Sequence, residues 1–246
     1  RVRSQPGRLA AARVAYADAL RQHRRPQEAE GLYLEALESA EHAAASVGLG
    51  QLELSRGNPT AALSRYRDAM AADDGLADPH YYAGNLFVRQ GDLERAAVAY
   101  DRALQRDPLH LRSYVNLASV HARQTDYGPA VAALHRGLTA LPGSKDLRLQ
   151  LARVLFVQAR YDEATDELRV LIDTGGAEGD AFALMARATA DAGRPTEALD
   201  WLRLGLEQTP DDAELCTRLG VALVEQGALG EAQALLERGS GARPGQ

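Results

Sequence analysis

Four histidines fall close together in this sequence, His80, His110, His121 and His135, and imidazole is well suited to binding metal or moving protons near neutral pH. His121 and His135 are spaced to approach one another across a pair of helices, but two imidazoles fall short of the three or four ligands a metal site needs. The one cysteine, Cys216, has no base near it in the sequence and reads as a buried, inert thiol. Two acidic pairs, Asp166-Glu167 and Asp211-Asp212, have the groups for acid and base work; helix starts and solvated helix faces account for both. Asp73-Asp74-Gly75 lacks the alternating oxygens and distal glutamate of a calcium loop. Asn58-Pro59-Thr60 has proline in the middle position, which N-glycosylation forbids. Neither a phosphate loop ending in Gly-Lys-Ser/Thr nor a paired-histidine zinc helix occurs. The expectation is a chain with no catalytic residue, no metal and no cofactor.

The elements that carry these side chains repeat. Ala29, Ala62, Ala96, Ala130, Ala164, Ala198 and Ala232 follow one another at a first step of 33 residues and then at steps of 34. Four residues after each comes a bulky side chain: Tyr33, Tyr66, Tyr100, Leu134, Leu168, Leu202 and Leu236. Twelve residues before each comes a small one: Ala17, Gly50, Gly84, Ala118, Ala152, Ala186 and Gly220. Two antiparallel helices that cross closely need this arrangement. Gly or Ala on the first helix and Ala on the second let the axes approach, and the bulky residue one turn later fills the space that opens as they diverge. Turn signals separate the two helices at Arg56-Gly57-Asn58-Pro59, Gln90-Gly91-Asp92, Ala192-Gly193-Arg194-Pro195 and Gln226-Gly227. Asp107-Pro108, Leu141-Pro142 and Thr209-Pro210 separate one pair from the next.

The 246 residues are 46% hydrophobic and 25% charged, ordinary for a folded chain and too apolar for a disordered one. A net charge of −6 argues against non-specific binding to nucleic acid. No apolar run approaches the roughly 18 residues needed to span a bilayer, so the chain reads as soluble, with cytoplasm and periplasm both open. Arginine outnumbers lysine by 27 to one, Lys145 being the exception, a skew that points to a GC-rich bacterial genome.

These columns resemble the tetratricopeptide repeat (TPR), a helix–turn–helix unit of 34 residues. The run from Tyr82-Ala83-Gly84 through Ala96, Tyr100 and Ala103 to Pro108 follows that pattern almost throughout. The resemblance implies an all-α fold, a right-handed α-solenoid of about 14 antiparallel helices in one structural domain. Seven repeats are expected at 10–42, 43–76, 77–110, 111–144, 145–178, 179–212 and 213–240. Residues 1–9 then fall where the tail of a preceding repeat belongs, and 241–246 form a flexible tail without a capping helix. A fragment of a longer protein is expected, or ends that pair with one another. Repeats five to seven depart from the pattern, with Leu171, Gly205 and Gly239 at the later small position and Gly175-Gly176 in place of a closing proline. Pentatricopeptide units of 35 residues, which read RNA, are the nearest confusable family, and both period and charge argue against them.

In the resembled family, ligands lie on a concave surface lined by the first helix of each pair. Carried onto this sequence, that surface gives Tyr81, Tyr82, Asn85, Asn116, Gln150, Arg153, Arg187 and Arg218, with Arg89 and Arg112 at its flanks. Its floor holds arginines, carboxamides and tyrosines but no acid; Asp78, Asp146, Asp180, Asp191, Glu214 and Glu225 balance the rim. Repeats one and two present a blander wall of Val14, Ala15, Asp18, Val47, Gly48 and Gln51. Carboxamides can donate to and accept from an extended peptide backbone, arginines hold carboxylates, and tyrosines give rigid contact area. Asn85 and Asn116 match the two asparagines of the family's carboxylate clamp, but its basic positions fall on Tyr81, Asp146 and Gln150, so the clamp is incomplete. Arg153 and Arg187 have a competing use as ion-pair partners of Asp146 and Asp180.

These readings make the chain a non-enzymatic scaffold that grips a peptide segment of a protein partner, acidic or phosphorylated in character, with no nucleic acid and no membrane insertion. Two other readings stay open. One is the regulatory or substrate-delivering arm of a larger enzyme, such as a glycosyltransferase or sulfotransferase; the other is end-to-end self-association.

Overall fold

A computed structural model describes residues 5–38 and 42–241. Among the described residues there are fourteen α-helices and no β-strand. The chain divides into two compact units, Arg1–Gln124 and Thr125–Gln246, where a single domain is expected from the repeat. In a stack of hairpins each pair touches only its neighbours, so no single core holds the whole array.

The first unit comprises α1 (Gln5–Gln22), α2 (Pro26–Leu37), α3 (His42–Ser55), α4 (Pro59–Ala72), α5 (Asp78–Arg89), α6 (Leu93–Arg106) and α7 (Leu111–Arg123). The second comprises α8 (Tyr127–Ala140), α9 (Lys145–Val157), α10 (Tyr161–Asp173), α11 (Gly179–Asp191), α12 (Pro195–Gln208), α13 (Ala213–Glu225) and α14 (Leu229–Gly239). Helix α1 begins at Gln5, five residues ahead of the expected first repeat. Residues 1–4, and the expected tail from residue 242 onward, lie outside the described residues.

Local chemistry explains where these helices start and stop. Pro26, Pro59 and Pro195 sit in the first turn of α2, α4 and α12, where a missing N–H has no helical partner to lose. Asp92, Ser144 and Asp212 cap α6, α9 and α13 by accepting from the N–H three residues on. Every first helix closes through the same backbone turn. Arg24, Gly57, Gly91, Thr125, Ala159, Gly193 and Gly227 all take φ between 56° and 83°, the left-handed region that ends a helix. Four of these are the glycines legible in the turns; Arg24, Thr125 and Ala159 hold the same conformation against a strain of about 1–2 kcal/mol each.

The bulky column sits directly on the small one instead of one turn beyond the crossing. A Cβ placed on Gly50 stands 2.4 Å from Cε1 of Tyr66, and one on Gly84 stands 2.6 Å from Cε1 of Tyr100. Tyr33 instead lies against Gly48 of the following first helix, 2.3 Å from where a Cβ belongs. In the second unit Gly220 meets Leu236 in this way, while repeats five and six pair buried Ala152 with Leu168 and Ala186 with Leu202. Exposed ion pairs tie neighbouring repeats at their edges: Arg56 with Glu30, Arg106 with Asp74 at 2.7 Å, and Arg194 with Asp162 at 2.9 Å. Each contributes about 0–1 kcal/mol.

Candidate functional site

In the first unit, α1, α3 and α5 gather with the start of α7 around a cleft of about 640 Å3. Asp18, Arg21, Gln51, Asp78, Tyr82 and Arg112 are among the residues lining it. The blander wall of repeats one and two is thus part of a cleft with both signs of charge.

Equivalent positions of these first helices, Asp18, Gln51 and Asn85, stand a hairpin away from the buried tyrosines Tyr33, Tyr66 and Tyr100. The Tyr33 hydroxyl donates to Oδ1 of Asp18 at 2.6 Å, and the Tyr100 hydroxyl donates to Oδ1 of Asn85 at 2.7 Å. In the repeat between them, the Tyr66 hydroxyl and Oε1 of Gln51 are both buried without a partner among the described residues. Burial pushes all three phenols above their ordinary range, Tyr100 to about 12, so each hydroxyl keeps its proton to donate.

Asn116 on α7 extends this network. Its Nδ2 donates to Oδ1 of Asn85 at 2.9 Å and to the Tyr100 hydroxyl at 3.3 Å. No bond within the described residues uses Nδ2 of Asn85 or Oδ1 of Asn116, a free donor and a free acceptor. At the flank, Nε2–H of His110 donates to Oδ1 of Asp78 at 3.3 Å while Nδ1 accepts from the Ser113 hydroxyl at 2.8 Å. The His110 bond holds the Asp78 carboxyl below the usual carboxylate range.

The other expected residues of this unit behave unequally. Tyr82 and Arg112 line the cleft, and Arg89 is exposed at the end of α5. Tyr81 is buried: its face of α5 turns toward α6 and α7, with ring centroids 6.0 Å from Tyr100 and 5.0 Å from His110. The Arg112 guanidinium covers the Tyr81 ring at 5.1 Å.

In the second unit, α11, α12 and α13 enclose a mostly apolar cleft of about 360 Å3, with Arg187, Arg218 and Glu225 among its lining. The floor expected to be basic is largely neutralised. Arg153 pairs with Asp180 at 2.7 Å, and Arg218 pairs with Glu214 of its own helix at 2.6 Å. Arg187 lies over the Phe156 ring at 4.7 Å and pairs with no carboxylate among the described residues. Gln150 is half-buried on α9.

Several of the residues with possible chemistry have structural contacts. Cys216 is buried, Asp212 caps α13, and Glu167 holds Arg148 at 2.5 Å. Asp73 accepts from the N–H of Gly75 at 2.9 Å, and Asp74 holds Arg106. Among the described residues no group of three or more His, Cys, Asp and Glu is placed to hold a metal ion, and no helix is long and apolar enough to cross a membrane.

Comparison with known proteins gives a consistent family. The pattern of the tetratricopeptide repeat matches residues 14–77, 81–145, 121–188 and 189–246. Cellulose synthase operon protein C of Xanthomonas axonopodis pv. citri is 33% identical over 216 residues, covering 79% of this chain. The match spans 14% of that protein's length. The C-terminal part of a TPR repeat-containing protein from Cytophaga hutchinsonii superposes with a TM-score of 0.72 at 14% identity, covering 95% of this chain and 96% of that one. YrrB, described as a TPR protein with an unusual peptide-binding site, gives a TM-score of 0.58 at 22% identity, covering 74% of this chain and 95% of its own.

Proposed function

This chain belongs to the tetratricopeptide repeat family, and from that premise we propose that it is an interaction scaffold gripping an extended segment of a partner protein along its first helices. The observation that carries this reading is the pair of unused groups on Asn85 and Asn116, whose donor and acceptor match the C=O and N–H of a peptide bond. Each unit's own cleft offers a place for side chains of a bound segment. Arg187, free of a carboxylate, suits an acidic residue of the partner. YrrB, with its peptide-binding site, supports a peptide as the occupant. Among the residues first expected, Tyr82, Asn85, Arg112, Asn116 and Arg187 carry the proposal. Tyr81, Arg153 and Arg218 act by holding their neighbours in place.

The experiment is capture of partners from the source organism with the chain and with an Asn85→Ala, Arg187→Glu variant, at matched helicity. The variant is expected to retain a tenth or less of each specific partner, about the loss that two polar contacts to a bound chain produce. Equal capture by both proteins sinks the assignment.

The likeness to cellulose synthase operon protein C favours a second reading, in which the array is the adaptor arm of a larger assembly that makes a polysaccharide. Neighbouring coding sequence without any glycosyltransferase or sulfotransferase removes it.

A further inference from the structure

The first unit has another cleft on its opposite side, where the second helices α4 and α6 flank α5. It encloses about 530 Å3, within the range that holds a specific ligand group. Leu63, Met70 and Phe87 make its wall apolar, and Val98 at the edge is 53% exposed. His80 forms part of the wall at 5% exposure, and its Nε2 has no hydrogen-bond partner. At the equivalent position repeats four and six carry the buried rings of Tyr114 and Phe182, where repeat three has the smaller imidazole of His80.

The charge around this cleft is one-sided. Arg67, Arg95 and Arg102 line it against a single acid, Glu94. Asp92 holds Arg95, and Asp74 holds the nearby Arg106, whereas Arg67 and Arg102 pair with no carboxylate among the described residues. An apolar pocket rimmed by unpaired guanidiniums suits a carboxylate presented beside an apolar anchor.

We propose that this cleft between α4 and α6 is a second docking site, taking an acidic segment of a partner protein anchored by one large apolar side chain. The site is independent of the first-helix face. Arg67 and Arg102 take the carboxylates, the anchor packs against Phe87 and Val98, and the unpartnered His80 nitrogen gains an acceptor.

The test uses the whole 246-residue chain and fluorescein-labelled short peptides of Asp and Glu with one central Phe, followed by anisotropy. Saturable binding is expected, weakened about tenfold or more by Arg67→Glu with Arg102→Glu. Arg187→Glu alone, at a residue that is not among the lining of this cleft, is expected to leave it unchanged. Absence of saturable binding overturns the proposal, as does indifference to the arginine reversals or equal binding when Ser replaces the Phe. Sedimentation as a dimer that Arg67→Glu with Arg102→Glu dissociates also overturns it, in favour of a second copy of the chain.

Discussion

The two units solve one packing problem with different materials. In the first, tyrosines Tyr66 and Tyr100 press their rings onto glycines Gly50 and Gly84. The Tyr33 and Tyr100 rings then reach far enough for their hydroxyls to bond Asp18 and Asn85 of the first helices. In the second, alanine meets leucine at Ala152–Leu168 and Ala186–Leu202 and glycine meets leucine at Gly220–Leu236, so these joints carry no phenolic hydroxyl. An aromatic joint needs a bare backbone beneath it and returns a polar contact near the first-helix face; an aliphatic joint is dry and leaves that face to residues such as Arg187. Packing thus decides what chemistry each face can offer.

The comparison breaks most readily at the glycines. Gly84→Ala is expected to cost the first unit about 1–3 kcal/mol, because the added methyl meets a ring with nowhere to swing. Adding Tyr100→Leu should restore most of the loss by converting the joint to the second unit's type. Urea melts joined to hydrogen exchange on α5 and α6 read both variants, and an unchanged Gly84→Ala protein refutes the contrast.

A smaller effect separates the tyrosines themselves. Tyr100→Phe should cost about 1 kcal/mol by deleting the bonds to Asn85 and Asn116. Tyr66→Phe should be neutral or stabilising, since its hydroxyl is buried without a partner. Equal losses at the two sites, measured by the same melts, remove the polar half of the comparison.

The smallest effect is a pH slope confined to the first unit. Burial, then Arg106 and Arg102, lower the pKa of His80 below its ordinary 6.5. The unfolded chain therefore binds the proton first. Stability from this group is full above about pH 6.5 and falls as pH drops toward the folded value. His80→Leu should flatten that slope in denaturant titrations between about pH 7 and pH 5.

The hairpin array was legible because close crossings impose short-range rules, and Ala, Gly and Tyr at one period state those rules openly. Less legible were features that depend on a neighbouring repeat. Arg153 has both a groove-floor and an ion-pair reading in the sequence, and only the structure pairs it with Asp180 of the next hairpin. The family resemblance places Tyr81 beside Tyr82 on the ligand-facing wall, yet α6 and the segment before α7 cover it. Arg24, Thr125 and Ala159 concealed three of the seven helix-ending turns, since tertiary packing holds them where glycine is the local preference. His80, one of four clustered imidazoles in the sequence, is a buried wall residue of the cleft between α4 and α6.

The ring seated on bare backbone also constrains ancestry. Changing Gly84 alone drives a methyl into the ring of Tyr100, and changing Tyr100 alone opens a void above Gly84. Either lone substitution is uphill, so the two positions are coupled in energy. Both lie on one hairpin, and a gene segment that copies the hairpin copies the couple. An array of this kind lengthens by whole inherited modules more easily than it drifts residue by residue from aromatic to aliphatic.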